Sequence, residues 1–427
     1  MKSKNKGGVR IISRIGVKIK TKYFKYKIFM FVYWAMMLSI SGMYTMYIAQ
    51  AGFSKEEISF TVTVFISSSI IGQNLFGYFA DSLKCVKKIL IFAFSIGIIG
   101  VVLLMFTSQR WFIISLLSLL GIFVYGTVPL SEAWYIEVLR DNGDQNEFGR
   151  IRGVGSIGYG VSGILLGILL QYLGWNIYKW YILISICTLL IVVLLIPESK
   201  KVSLYGDKGG ADKYQAGNLR NSFKEALKLT FKVKPLRSIV VIVFIYSFVV
   251  KGIYSYLGVL VSDFGGGPLS LGFAYFFDAS PEIITFILTS RLLRRYRSKD
   301  LVFAAFILQI VRLSLILFFN SPLSIIILGT ISGFAYGLLA TAYKTYIYEV
   351  APDKYKISCL SLCESMIGLS GVISAPIFGL LIIKLSGYAT IVIGLGIYVI
   401  MTLILAISRH KEKNRQKKEW KENEICI

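Results

Sequence analysis

The sequence alternates long apolar runs with short polar segments along its whole length. A helix needs about 20 residues to cross a hydrocarbon core of roughly 30 Å, and twelve runs reach or approach that length. We number them span 1 to span 12: 28–50, 58–80, 89–106, 111–133, 154–172, 180–196, 239–261, 269–288, 301–319, 323–350, 357–383 and 389–407. Because lipid offers no partner to backbone polar groups, each run is predicted to be helical.

Composition agrees with this pattern. The 427 residues are 55% hydrophobic and 16% charged, with a mean hydropathy of +0.67. A soluble protein of this size would expose far too much apolar surface at that composition. The sequence therefore predicts an all-α integral membrane protein with twelve transmembrane helices.

The net charge of +24 would suggest nucleic-acid binding in a soluble protein, but its distribution points to the membrane. With the N-terminus inside, 40 of the 47 lysines and arginines fall on segments of one side. The positive-inside rule then predicts a multi-pass protein of the cell membrane with both termini cytoplasmic. The basic segments are expected to contact anionic lipids, and no nucleic-acid partner is expected.

A polar stretch divides the spans six and six. It predicts five segments: a basic cytoplasmic N-terminus at 1–27, an N-terminal six-helix bundle at 28–196, a cytoplasmic central loop at 197–237, a C-terminal six-helix bundle at 238–407 and a basic cytoplasmic tail at 408–427. A shift of 212 residues superimposes Gly121 on Gly333 and Glu137 on Glu349. Two pseudo-symmetric halves of this kind are typical of transporters with a midplane site.

Span 5 carries glycines at the spacing of a dinucleotide-binding loop, in "GVGSIG" at 153–158. A nucleotide site would also need a preceding strand and an acidic residue about 20 positions on, and neither is predicted. The glycines continue through Gly160, Gly163 and Gly167 at three- and four-residue intervals. Such spacing predicts close packing of span 5 against neighbouring helices, with freedom to slide.

Cysteine and histidine usage gives no indication of a metal site or a cofactor. Five cysteines lack metal-ligand spacing, and the one histidine, His410, lies outside the predicted spans. The spans contain no nucleotide-binding Lys motif and no hydrolase or metalloprotease motif. We therefore expect no catalytic residue, no metal, no cofactor and no enzymatic activity; a membrane-embedded enzyme is the distant alternative.

Two motifs resemble the major facilitator superfamily. "GQNLFGYFADSLKCVKK" is similar to the signature of the loop between spans 2 and 3, a glycine four residues before an aspartate and then a basic cluster. "PLSEAWYIEV" and "NEFGRIRGVGSIGY" resemble spans 4 and 5 of the lactose-permease-like branch, which contains oligosaccharide and nucleoside symporters. The resemblance implies the major facilitator fold, and it implies inner-gate control by five residues: Gly77, Asp81, Lys84, Lys87 and Lys88.

The same branch implies a substrate site. By position, Glu132 and Arg152 would hydrogen-bond a polar solute, and Tyr159 would stand where an aromatic ring stacks on a sugar. A carboxylate and a guanidinium beside a flat apolar surface suit such a ligand. The alternative is a structural ion pair that closes the hairpin of spans 4 and 5.

Ionisable residues inside spans are costly, at about 2.5–3.5 kcal/mol each, and mark functional candidates. Seven lie in the second half: Lys251, Asp278, Glu282, Arg312, Lys344, Glu349 and Glu364. Asp278 and Glu282 share one face of span 8 and could load and release a proton, whereas a static ion-pair network is the equal alternative. In the lactose-permease-like branch, span 7 carries acids that face a lysine of span 11, whereas this chain has Lys251 on span 7 and Glu364 on span 11. The comparison therefore predicts an ion pair between Lys251 and Glu364 in which the acid and the base have exchanged helices.

Together these features predict a monomeric secondary transporter that moves a small polar solute, such as a sugar or nucleoside, by alternating access. Coupling to protons is the predicted mechanism. Proton-driven efflux of amphipathic drugs is the main alternative, because 26 Tyr and 29 Phe residues could line an apolar pocket.

Overall fold

The computed structural model describes residues 23–83, 85–144, 147–197, 227–230, 232–352 and 355–425. These residues form helices joined by short turns and contain no strand. In the first half the helices are Phe24–Ser41 and Tyr44–Gln50 (span 1), Lys55–Leu83 (span 2), Val86–Met105 (span 3), Arg110–Phe123 and Val128–Asp141 (span 4), Phe148–Leu173 (span 5) and Asn176–Leu195 (span 6).

The second half repeats this order. Its helices are Lys234–Ser255 and Leu257–Asp263 (span 7), Pro268–Leu292 (span 8), Ser298–Phe319 (span 9), Pro322–Val350 (span 10), Lys356–Lys384 (span 11) and Gly387–Ile425 (span 12). The fold is thus two six-helix bundles with the predicted pseudo-symmetry. We call the end with the loops 2–3, 4–5, 8–9 and 10–11 the inner end, and the opposite end the outer end.

Eleven spans in the described part of the chain are long and apolar enough to cross a bilayer by length and composition alone. Span 8 has the length, at 25 residues, but contains Asp278 and Glu282 with Pro281 between them. It packs most closely against spans 5 and 10. Its polar residues therefore face protein rather than lipid, which is where such residues are tolerated.

Both halves begin with an interrupted helix. Span 1 breaks before the seven-residue helix Tyr44–Gln50, and span 7 breaks before the seven-residue helix Leu257–Asp263. These two short helices pack against each other at the outer end. A Cβ on Gly258 would lie 2.6 Å from Thr45 Oγ1, so glycine is needed for this approach.

The glycines of span 5 pack against two neighbours, as their spacing predicts. A Cβ on Gly158 would overlap the backbone of span 1 at Phe31, and a Cβ on Gly167 would lie 2.9 Å from the carbonyl oxygen of Pro268 in span 8. Gly163 and Gly272 meet backbone to backbone between these positions. Span 5 therefore joins the two halves through van der Waals contact of small residues.

The second contact between the halves is formed by spans 2 and 11. A Cβ on Gly379 would lie 2.7 Å from the Cβ of Ser59, and the Tyr256 hydroxyl of the second half donates to the Ser59 hydroxyl at 3.3 Å. These contacts, like those of the short helices, lie towards the outer end. The halves are thus closed together at that end. Charged side chains that remain partly exposed within the spans, described next, indicate a cavity between the halves on the inner side of this closure.

The helices extend beyond the predicted apolar runs, most clearly in spans 7 and 12. Span 7 begins at Lys234 rather than at 239, and the last helix continues without a break to Ile425, well beyond the predicted end at 407. The segment after 407 contains no glycine or proline and is rich in Lys, Glu and Arg, which favour helix. A hydropathy pattern locates where apolar character ends, and a helix can continue past that point.

Candidate functional site

Arg152 is the centre of a polar cluster in the first half. Its Nε lies 3.2 Å from Oε1 of Glu132, and its Nη1 donates to the Ser156 hydroxyl at 3.3 Å. The ring of Trp34 covers the guanidinium, with a centroid 4.4 Å from Cζ. The side chains of Arg152 and Glu132 remain 22% and 32% exposed, so this pair lines the cavity.

Local sequence explains this arrangement. Arg152 and Ser156 are four residues apart, so they share one face of span 5. Gly155, between them, meets the indole of Trp34, where a Cβ would lie 3.1 Å from Nε1 and overlap the ring. The glycine brings span 1 close enough for the aromatic face to reach the cation.

The cluster continues into the second half. Ser156 donates its hydroxyl to Oε2 of Glu282 at 2.9 Å, so a chain of polar contacts runs from Glu132 through Arg152 and Ser156 to span 8. The hydroxyl groups of Tyr159 and Tyr254 are 3.2 Å apart, which makes a second polar contact between the halves. Tyr159 also packs edge-on against Trp34 and Tyr275 rather than lying flat beside Arg152.

The second half has its own ion pair. Nζ of Lys344 on span 10 lies 3.0 Å from Oε1 of Glu364 on span 11, and the Tyr343 hydroxyl donates to the same oxygen at 2.6 Å. The side chains of Lys344 and Glu364 are 49% and 46% exposed. Each ion pair can offer a donor and an acceptor to a polar ligand at the same time.

The predicted pairing of Lys251 with Glu364 is wrong. Lys251 instead donates to the backbone carbonyl of Ile367 at 2.8 Å, and the carboxylate of Glu364 is held by Lys344. The carbonyl lies three residues beyond Glu364 along span 11, nearer the outer end. Lys251 therefore reaches span 11 about one turn away from the carboxylate, although the two side chains still interact electrostatically.

Asp278 and Glu282 have different surroundings, although they share a face of span 8. Asp278 interacts with Arg312 and with the hydroxyl of Ser332, inside the C-terminal bundle. Arg312 is only 6% exposed and also contacts Gln309. Glu282 points to the other half, towards Ser156 and Arg152. Each carboxylate thus has its own cation.

The residues predicted to control the inner gate lie at the inner end of spans 2 and 3. Gly77 is exposed, and a Cβ there would meet nothing within 4 Å. Lys87 donates to the carbonyls of Leu194 and Ile196 at the end of span 6, and Lys88 is exposed. Lys84 and the side chain of Asp81 lie outside the described residues.

Sequence reasoning missed four residues around the two ion pairs: Trp34 and Ser156 beside Arg152, Tyr343 beside Glu364, and Tyr336, which interacts electrostatically with both pairs. Ser156 could have been found from its spacing, because it lies one helical turn after Arg152. The aromatic residues gave no such signal, since 14% of the chain is aromatic and most of these side chains pack within the bundles or face lipid. Only the three-dimensional arrangement distinguishes the rings that line the cavity.

Twelve membrane helices in two pseudo-symmetric bundles, closed around a charged cavity, define a membrane transporter of the major facilitator type. The sequence matches the MFS_1 like family over residues 23–393. The chain belongs to this family, and it is a transporter rather than an enzyme.

Individual relatives are distant. The maltose permease of Geobacillus stearothermophilus is 21% identical over 300 residues, which cover 70% of this chain and 71% of the permease. The structure of nucleoside transporter NupG superimposes with a TM-score of 0.69, and a mutant of the same transporter with 0.74. Both are 15% identical and cover 90% of this chain and 98% of theirs. At this identity they establish the fold alone.

Proposed function

We propose that this protein is a secondary active transporter that carries a small polar solute of the sugar or nucleoside class across the cell membrane by alternating access. The observation that carries the proposal is the chain of contacts from Glu132 through Arg152 and Ser156 to Glu282. It contains an ion pair open to the cavity, and it ends on the opposite half. A solute that binds to the pair therefore acts on a contact that must break when the halves separate at that level.

The relatives support the solute class. One is named for maltose and another for nucleosides, and both solutes are neutral ring compounds with several hydroxyl groups. The cluster fits such a ligand, because Glu132 and Arg152 supply directional hydrogen bonds and Trp34 supplies a flat apolar face.

Proton coupling is part of the proposal and involves Glu282. As a carboxylate, Glu282 accepts a hydrogen bond from Ser156 and is attracted by Arg152. Protonation would remove its charge and weaken this contact between the halves. The concentration of lysine and arginine on one side supports cytoplasmic termini and a plasma-membrane location.

Uptake of radiolabelled maltose and uridine into proteoliposomes, with and without a pH gradient, tests the proposal. We expect transport of one solute, accelerated by the gradient, and a loss of at least about tenfold in Glu132→Gln and in Arg152→Lys. Lysine keeps the charge but cannot reproduce the planar donor geometry of the guanidinium.

The control is a second ion pair, outside the cavity. Arg110 Nη1 lies 3.1 Å from Oε1 of Glu57 at the outer end, and Glu57→Gln should transport at the normal rate. Drug efflux would instead appear as transport of an amphipathic dye such as ethidium that tolerates both cavity substitutions. That result would reject the sugar or nucleoside assignment.

A further inference from the structure

The two ion pairs of the cavity are counterparts in the internal repeat. Lys344 lies 212 residues after Glu132, and Glu364 lies 212 residues after Arg152, which is the shift that relates the two halves. The first pair closes at 3.2 Å and the second at 3.0 Å. Equivalent positions thus form equivalent contacts, but the acid and the base are exchanged.

Both pairs line one cavity. Tyr336 on span 10 interacts electrostatically with Glu132 and Arg152 of the first half and with Glu364 of the second. Its side chain is 46% exposed and lies within electrostatic range of both pairs. The pseudo-symmetry relates the halves by an axis along the membrane normal, so equivalent residues lie at equal depth on opposite walls. An acid on one wall therefore faces a base on the other.

The ion pair of Lys344 and Glu364 is far more exposed than the charged residues that lie inside the C-terminal bundle. Arg312, which interacts with Asp278 inside the C-terminal bundle, is 6% exposed, whereas Lys344 and Glu364 keep nearly half of their side-chain surface open. An ion pair so exposed contributes little to stability. Its donors and acceptors are, however, within reach of a ligand in the cavity.

We propose that Lys344, Glu364 and Tyr343 form a second substrate subsite, and that the substrate is an electrically neutral solute with hydrogen-bonding groups at both ends. This rests on the proposed function, because it gives that transporter a site on each wall. One end of the solute binds at Glu132 and Arg152, and the other binds at Lys344 and Glu364.

Charge balance is the physical reason for a neutral substrate. Within each pair the charges cancel, so a hydroxyl or amide group can accept from the cation and donate to the carboxylate without leaving a charge uncompensated. An ionic solute would bring in a charge that neither ion pair balances, and it would lose part of its hydration on binding, which is costly for a charged group. The arrangement therefore selects against organic anions and cations alike.

Charge selectivity is the property to measure, because a purely structural ion pair would not set it. The probes are two matched series: glucose with glucosamine and glucuronate, and uridine with 5′-amino-5′-deoxyuridine and uridine-5′-carboxylate. Their affinities for the purified full-length protein are measured by calorimetry. We expect the wild-type protein to bind the neutral member of one series at least about tenfold more tightly than either charged member.

The two single substitutions should shift selectivity in opposite directions. Lys344→Gln removes the cation that forms the ion pair with Glu364 and should improve the amino analogue relative to the neutral solute by about tenfold. Glu364→Gln leaves Lys344 unpaired and should improve the carboxylate by a similar factor. Glu57→Gln, in the ion pair at the outer end, is the matched control and should leave all ratios unchanged.

The exchanged pair, Lys344→Glu with Glu364→Lys, distinguishes binding from structure. It can still form an ion pair, so thermal stability should stay close to that of the wild-type protein. Acid would then face acid across the cavity, and we expect affinity for the neutral solute to fall at least about tenfold. Full recovery of wild-type affinity and selectivity would overturn the second subsite, as would single substitutions that leave the ratios unchanged.

The two proposals fail in different ways. Loss of transport in Glu132→Gln, with normal selectivity in every Lys344 and Glu364 variant, would keep the transporter and remove the second subsite. Normal transport in Glu132→Gln and Arg152→Lys, by contrast, would reject the proposed site in the first half.

Discussion

At the scale of single residues, Arg152 is the central side chain of the cavity because three different groups contact it. Glu132 supplies a charge, Ser156 a hydroxyl and Trp34 an aromatic face. The guanidinium is planar, so it can accept the ring on its face while its edge donates hydrogen bonds. A lysine in this place could not combine these contacts, because its ammonium group is not planar.

This geometry predicts an effect of Trp34 on binding. A cation–π contact contributes about 0.5–2 kcal/mol, so Trp34→Leu should weaken solute affinity by roughly 2- to 30-fold, and Trp34→Phe should weaken it less. Affinity is measured by calorimetry on purified protein. Trp111→Leu, at an exposed ring that packs on Phe60 at the outer end, is the control. Unchanged affinity in Trp34→Leu with reduced thermal stability would mean that the ring only supports packing.

At the scale of elements, span 5 joins the molecule because its glycines approach two different helices. Gly155 and Gly158 face span 1, whereas Gly163 and Gly167 face span 8. The first contacts hold the bundle together, and the second form part of the interface between the halves. A helix with small residues on both faces can keep one contact while the other changes.

We expect Gly272→Ala to impair the outer closure. The added Cβ would lie 2.8 Å from the carbonyl carbon of Gly163, and backbone on both sides leaves no side chain to move away. Overpacking of this kind costs about 1–3 kcal/mol, so transport should fall by about tenfold or more. Gly396→Ala is the control, because a Cβ at that helical glycine meets nothing within 4 Å. Equal transport rates in Gly272→Ala and Gly396→Ala would show that the interface between spans 5 and 8 tolerates the added Cβ.

At the scale of the whole molecule, the contacts between the halves are concentrated in two helix pairs, spans 5 with 8 and spans 2 with 11, and in the two short helices at the outer end. Alternating access requires the outer contacts to open while those inside each bundle persist. Disulfide cross-links can therefore test both the contacts between the halves and the contacts inside one half.

A disulfide between Ser59→Cys and Gly379→Cys should stop transport, because it would fix spans 2 and 11 together at the outer end. The Cβ positions are close enough for a bond after a small adjustment. Transport is measured in proteoliposomes before and after reduction, in protein whose five native cysteines are replaced by serine. Reduction should restore transport to the rate of the two single-cysteine variants, which carry the added side chains without the bond.

The matched control is a disulfide inside one half. A Cβ on Gly121 would lie 3.3 Å from the Cβ of Ser68, and both positions belong to the first half. Ser68→Cys with Gly121→Cys should therefore cross-link without blocking transport. If the protein cross-linked through Ser59→Cys and Gly379→Cys still transported at the full rate, that result would contradict alternating access about this interface.

Much of the fold could be predicted from the sequence, and less of the site. Apolar runs identified span 8 as a membrane helix in spite of its carboxylates, and glycine spacing predicted the close packing of span 5. The pairing of charges could not be predicted in the same way: Glu364 was assigned to Lys251, but Lys344 holds it. Depth and rotation of a helix decide such contacts, and a shift of one turn changes the partner.

The order of apolar and polar residues already specifies twelve membrane spans in two related halves, because hydrocarbon thickness and backbone hydrogen bonding act on each segment separately. The folded structure was needed to show that Trp34 covers Arg152, that Ser156 connects the cluster to Glu282, and that the acid and the base are exchanged between the two ion pairs. Those contacts join residues far apart in the chain, and their geometry depends on how every helix packs against its neighbours.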